Sequence, residues 1–272
     1  MYDYWVAIII GIVEGLTEFL PVSSTGHMIL TQALLGISED DNMMKTFNIV
    51  IQLGAILAVV IVYWSRILNL FGIRVGVQKH KQKRMNLLHI LAGIVPVMLL
   101  ALIFDNLIET YLFSKYTVII GLVLGGILLI VAENKKHTKP LIEDIDDLSY
   151  KQAFQVGLWQ IVSLWPGFSR SGSTIAGGML GGVSRKASAD FTFIMAIPIM
   201  FAATGYSLLK SWKLFDASWI GFFTVGFVVS FIVALLAVVT FIKLVGRMKL
   251  TYFAYYRFAL AAFFLIYLIV TK

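Results

Sequence analysis

Long apolar runs, broken at two places by polar residues, set the pattern of this chain. Apolar stretches fall near residues 4–20, 25–36, 45–64, 86–104, 116–132, 151–165, 172–182, 188–209, 218–242 and 251–270. Strand-type alternation is absent, so each stretch predicts a helix and not a barrel strand. Stretches 45–64, 86–104, 116–132, 188–209, 218–242 and 251–270 suit a hydrocarbon core about 30 Å thick. Stretches 25–36 and 172–182 are too short to cross it, since eleven or twelve residues rise only about 16–18 Å. The economical reading pairs each with the stretch before it as a re-entrant hairpin, over 4–36 and 151–182; the alternative is eight spans without re-entrance. Irregular backbone at that depth survives only inside protein or beside a water-filled cavity.

The two halves are alike. Gly11-Ile-Val-Glu14 matches Gly157-Leu-Trp-Gln160, and after a one-residue slip Pro21-Val-Ser-Ser24 matches Pro166-Gly-Phe-Ser169. Phe47-Asn-Ile-Val-Ile-Gln52 resembles Phe191-Thr-Phe-Ile-Met-Ala196. The pattern predicts an all-α integral membrane protein built as an inverted repeat, each half one re-entrant hairpin plus three transmembrane helices. Three is odd, so the second half lies upside down relative to the first. The divisions are 1–133 for the first repeat, 134–150 for a cytoplasmic linker and 151–272 for the second repeat.

Composition agrees: 59% of the 272 residues are hydrophobic and 14% charged, against about 45–50% and about 25% in soluble domains. A net charge of +7 raises a nucleic-acid reading, but the basic residues sit in short loops between apolar runs, as topology signals do. Fifteen of the 22 Lys and Arg fall in one set of loops and five in the other, with Arg170 and Arg257 embedded. The richer set belongs in the cytoplasm. Both termini and the first hairpin then face outward, and the second hairpin enters from the cytoplasm. The N-terminus has no basic region or cleavage site, so the first apolar stretch is expected to be retained. With no cysteine there is neither disulfide nor thiol chemistry.

The two breaks carry the candidate chemistry, because an ionisable group at membrane depth marks a functional site. Glu14 and Glu18 lie about 40° apart around a helix and share a face. Such a pair suits a divalent cation, Mg²⁺ or Ca²⁺, or a proton; the alternative is a structural pair neutralised by Arg170. Ser23, Ser24 and Thr25 follow Pro21 and precede the next helix. Their bland role is capping; their chemical role is an anion cradle with a nucleophile. His27 stands three residues after Ser24, within range to act as its base. Arg170 sits among Ser169, Ser171, Ser173 and Thr174, where its fork matches phosphate oxygens. The rival role for Arg170 is to hold the two hairpins together through Glu14 or Glu18. Asn48 and Gln52 either line the pocket or bond between helices. Arg257 is expected to snorkel to the cytoplasmic surface. His80, His89 and His137 read as loop or loop-proximal residues with no supporting cluster, and Glu143–Asp147 as a solvated acidic loop.

Glu14-x-x-x-Glu18, Pro21-Val-Ser-Ser-Thr-Gly-His27 and Pro166-Gly-Phe-Ser-Arg-Ser-Gly-Ser-Thr174 resemble the signature motifs of the bacterial undecaprenyl-diphosphate phosphatases, the bacitracin-resistance family. The likeness runs essentially end to end. It implies hydrolysis of undecaprenyl diphosphate to undecaprenyl phosphate and inorganic phosphate, recycling the lipid carrier for the cell wall. It also implies a multi-pass protein of the bacterial plasma membrane that depends on a divalent cation. The expected partners are a polyprenyl diphosphate and membrane lipids but no nucleic acid, with a homodimer left open. The outward first hairpin places the active site on the external side. Ser24 is the first choice of nucleophile, with His27 or a metal-bound water as alternatives. Inverted repeats meeting at broken helices are also a transporter signature, so a flippase of a polyprenyl phosphate lipid is the rival function.

Overall fold

The computed structural model describes residues 2–38, 41–73, 85–112, 114–135, 142–211 and 217–271. In chain order its α-helices are α1 (Tyr4–Thr17), α2 (Ser24–Leu34), α3 (Asn42–Val62), α4 (Trp64–Leu70), α5 (Leu87–Leu112), α6 (Lys115–Asn134), α7 (Tyr150–Ile161), α8 (Arg170–Leu180), α9 (Arg185–Ser211), α10 (Ile220–Leu244) and α11 (Thr251–Val270). The described residues contain no strand, only a single parallel bridge between Ile142 and Val183.

Six of these helices are long and apolar enough to cross a membrane: α3, α5, α6, α9, α10 and α11. They are the six predicted from the apolar runs. The remaining members of the predicted hairpins, α1, α2, α7 and α8, have 14, 11, 12 and 11 residues. The sequence reading missed α4, which restarts after α3 ends at Tyr63. It also stopped α5 too early: Asp105, Asn106 and Glu109 end the apolar run without ending the helix.

Local chemistry fixes the starts. Asp41 accepts from Met44 N–H at 3.0 Å, and Ser114 and Ser149 build reciprocal capping boxes with Thr117 and Gln152. Pro96 and Pro198 lie inside α5 and α9, as neighbouring helices permit in membrane spans.

The helices of the two halves interlock. α1 packs on α10, whereas α7 packs on α5; α3 packs on α9 and α10, and α6 on α11. Glycine permits both of the first two contacts. A Cβ on Gly11 would lie 2.8 Å from Gly226 O, and one on Gly157 would lie 2.4 Å from Gly93 O. Close approach through small residues is how helices associate where lipid supplies no hydrophobic drive.

His89 is loop-proximal, in the first turn of α5, where it is buried, bonded to Asn86 and Leu148 O and stacked on Tyr150. Two expectations need correction. The acidic run is not simply solvated. Asp146 is buried within a short 3-10 turn (Ile145–Asp147), where it pairs with Arg66 at 2.8 Å and accepts from Met85 N–H. Arg257 does not snorkel; it is fully buried. Arg74, Lys79, Lys81, Lys83, Arg84, Lys136, Lys139, Lys213 and Lys272 of the charge asymmetry, with His80 and His137, lie outside the described residues.

Candidate active site

Two corners of the backbone build the site. Pro21 follows the end of α1, and Ser23, at φ 71°, turns the chain into α2 while its hydroxyl accepts from Gly26 N–H at 3.3 Å. Ser169, at φ 74°, turns the chain into α8, and its hydroxyl accepts from Gly172 N–H at 3.1 Å. A positive φ on a residue with a side chain is costly and persists only where the surroundings enforce it. Among the described residues no other non-glycine does this. The same strained device thus recurs in both breaks, and in each it aims a helix N-terminus.

The corners meet. Ser171 Oγ donates to Leu20 O at 2.8 Å. Arg170 Nη2 donates to Glu18 Oε1 at 2.7 Å, both side chains being mostly shielded from solvent at 16% and 11% exposure. The other oxygen of Glu18 accepts from Ser24 Oγ at 2.5 Å. One carboxylate therefore bridges a hydroxyl of the first break and the guanidinium of the second. Glu18, Ser23, Ser24, Thr25, Ser169 and Arg170 line a cavity of about 160 Å³ together with Gln52, Ser163, Trp165, Pro166, Gly167 and Met200. Sites for whole drug-sized molecules run to roughly 300–1,000 Å³, so this space suits a headgroup and not a tail.

The remaining predicted residues divide. Glu14 is fully buried, and neither of its oxygens has a hydrogen-bond partner. Arg170 Nη1 is likewise buried and unpartnered. His27 does not reach Ser24: its Nδ1 meets Ser23 O at 2.7 Å and its Nε2 meets Tyr256 Oη at 2.7 Å. A carbonyl only accepts, so Nδ1 carries a proton, and in the neutral ring Nε2 accepts from the tyrosine. The imidazole then has no free lone pair for the serine. Its visible work is to hold the carbonyl of strained Ser23.

Ser171, Ser173 and Thr174, expected to contact phosphate, spend their hydroxyls on the protein. Ser173 and Thr174 donate to Arg170 O at 3.0 and 2.8 Å, and Thr192 donates to Thr174 at 2.9 Å. They are almost wholly buried and brace α8 from within. Of the open pair on α3, Gln52 lines the cavity while Asn48 accepts from Gln32 at 2.9 Å. Ser163, Met200 and Tyr256 were given no part in the site from the sequence; they lie outside the motifs, and their only signal is spatial.

Among the described residues no cluster of three or more His, Cys, Asp or Glu gathers as a metal site, and both oxygens of Glu18 are taken by Ser24 and Arg170, so a divalent cation would find its open donors at Glu14. Carboxylate and hydroxyl oxygens suit hard cations, and two orphaned oxygens at Glu14 are an opening for one.

A family model described as bacitracin resistance protein BacA matches residues 7–263, which span both corners and all the residues named above in the site.

Proposed function

The chain belongs to the bacitracin resistance family of undecaprenyl-pyrophosphate phosphatases, and we propose that it removes the terminal phosphate of undecaprenyl diphosphate by attack of Ser24. The carrying observation is Glu18, whose two oxygens hold the Ser24 hydroxyl and the Arg170 guanidinium.

The diphosphate enters the cavity and takes Arg170 over from Glu18, meeting the free Nη1 and the N-terminal amides of α2 and α8. Released from that ion pair, Glu18 accepts the proton of Ser24. Ser24 Oγ bonds to the terminal phosphorus as the bond to the bridging oxygen breaks, and undecaprenyl phosphate leaves. Water then attacks the phosphoserine, freeing inorganic phosphate and returning a proton to Ser24. Glu14 and Glu18 would hold the cation, which when bound supplies positive charge against the phosphate oxygens. His27 and Tyr256 keep the first corner in place.

The architecture proposed around this site is the inverted repeat of 1–133 and 151–272, joined by the 134–150 linker, with hairpins over 4–36 and 151–182 entering from opposite faces of the plasma membrane. Support comes from the matched strained serines and from the exchange of partners, in which α1 lies on a second-half helix and α7 on a first-half helix. Glu14 and Gln160 occupy equivalent places, and both are buried without partners. With Leu164 where a second glutamate would stand, the chemistry belongs to the first corner, on the external side.

Purified protein in detergent, incubated with undecaprenyl diphosphate, tests the reading. A phosphatase releases inorganic phosphate and undecaprenyl phosphate; a flippase of the same lipid leaves the diphosphate intact.

A further inference from the structure

We infer that Arg257 is a positioning residue: its buried guanidinium fixes the backbone of Gly167 and Phe168, and through it the aim of Ser169 and Arg170. The inference rests on the phosphate-binding reading of that corner.

Arg257 on α11 is fully buried, and among the described residues no carboxylate pairs with it. A buried guanidinium without a counter-ion is expensive and needs compensation by hydrogen bonds. Its Nη2 shares two N–H groups among Gly167 O at 2.8 Å, Phe168 O at 2.9 Å and Gly121 O at 3.0 Å, its Nε donates to Leu122 O at 3.1 Å, and its buried Nη1 has no partner. Two of those four carbonyls belong to α6. The other two belong to the residues just before Ser169, whose φ of 74° the surroundings must enforce. A strut serving only to join α6 and α11 has no need of them.

The floor of this arrangement is glycine. A Cβ on Gly125 would lie 2.1 Å from Arg257 Nη2 and 2.6 Å from Phe168 O, and one on Gly121 would lie 2.3 Å from Pro166 O. The one-turn spacing of Gly121 and Gly125 leaves a groove on α6 that admits the corner and the guanidinium together. Gly125→Ala therefore displaces the guanidinium while leaving its charge in the chain. The neighbour of Arg257 completes the device, since Tyr256 holds His27, which holds Ser23 O. Consecutive residues of α11 thus restrain both strained corners.

The test uses the full chain in detergent micelles, comparing the parent with Arg257→Lys, Gly125→Ala and the double variant. Arg257→Ala, assayed with and without millimolar guanidinium, adds a rescue arm. Rates of phosphate release from undecaprenyl diphosphate give kcat and KM, and amide hydrogen exchange follows residues 166–172. Each single variant is expected to lower kcat about 100-fold, the scale of a roughly 1 Å misplacement, with a smaller change in KM. The double variant should be no slower than the worse single one. Exchange should accelerate at 166–172, and guanidinium should restore part of the Arg257→Ala rate. Losses that multiply in the double variant, or unchanged exchange at 166–172, would overturn the inference. If the parent itself releases no phosphate, the phosphatase reading fails and the exchange measurement alone decides the positioning role. If Arg257→Ala does not fold, Arg257→Lys and Gly125→Ala carry the test.

Discussion

The hydroxyl of Ser24 and the carboxylate of Glu18 meet at 2.5 Å across the break between α1 and α2. The same carboxylate engages Arg170 through its other oxygen at 2.7 Å. In the proposed reaction Glu18 holds two groups in waiting, a nucleophile for it to deprotonate and a guanidinium for substrate to claim. Of the two roles framed from sequence for Arg170, the tether between the breaks is the contact seen, and the proposed reaction makes phosphate binding its successor.

Glu18→Gln keeps the shape and removes the base. Phosphate release should fall about 10²–10⁴-fold, the range of general acid–base contributions. Arg170, no longer held by a charged partner, should bind inorganic phosphate more tightly. Initial rates with added phosphate measure both effects, and a variant with weaker product inhibition would contradict this role for the ion pair.

His27→Ala should slow release less than Ser24→Ala, because the imidazole is committed to Ser23 O and Tyr256. A phosphoenzyme trapped from radiolabelled substrate should vanish in Ser24→Ala and persist in His27→Ala. The opposite pattern makes histidine the nucleophile.

Chelation should suppress release, and Mg²⁺ or Ca²⁺ should restore it. Glu14→Gln should raise the cation concentration needed for half-maximal rate, because the orphaned oxygens of Glu14 are the open donors. An unchanged cation response in Glu14→Gln would remove that residue from the cation site.

Gly157→Ala forces α7 away from α5, since its Cβ would lie 2.4 Å from Gly93 O. Overpacking of this kind typically costs about 1–3 kcal/mol, and thermal unfolding in detergent should show a lowered midpoint. Gly246→Ala, whose Cβ would meet nothing within 4 Å, is the control and should leave the midpoint unchanged.

The chain has no native cysteine, so Thr25→Cys gives a clean probe of sidedness. A membrane-impermeant thiol reagent should label it from outside intact cells, with prior phosphate or substrate slowing the reaction. Labelling only from the cytoplasmic side would invert the topology.

Much of this was legible in the chain because membranes make the signals loud. Run length marked α2 and α8 as too short to span, pairing with the preceding stretch placed α1 and α7 beside them, and Pro21 and Pro166 marked where the backbone breaks. The acids, serines and arginine stood out because charge is rare in such sequence. What stayed hidden depends on direction and distance. No spacing rule says that Ser173 and Thr174 turn back onto Arg170 O, or that His27 looks to Tyr256, 229 residues away. Arg257 read as a snorkelling end residue because it stands near the start of α11. Its carbonyl partners lie in α6 and in the second corner, where only the fold brings them together.

Whether the two corners act as one site is tested most directly by kcat/KM for phosphate release in Ser24→Ala, Arg170→Ala and the double variant. One shared reaction centre predicts that each single change nearly abolishes release and that the double variant is no worse than the weaker single one. Losses that multiply, or a Ser24→Ala protein as fast as the parent, would contradict it.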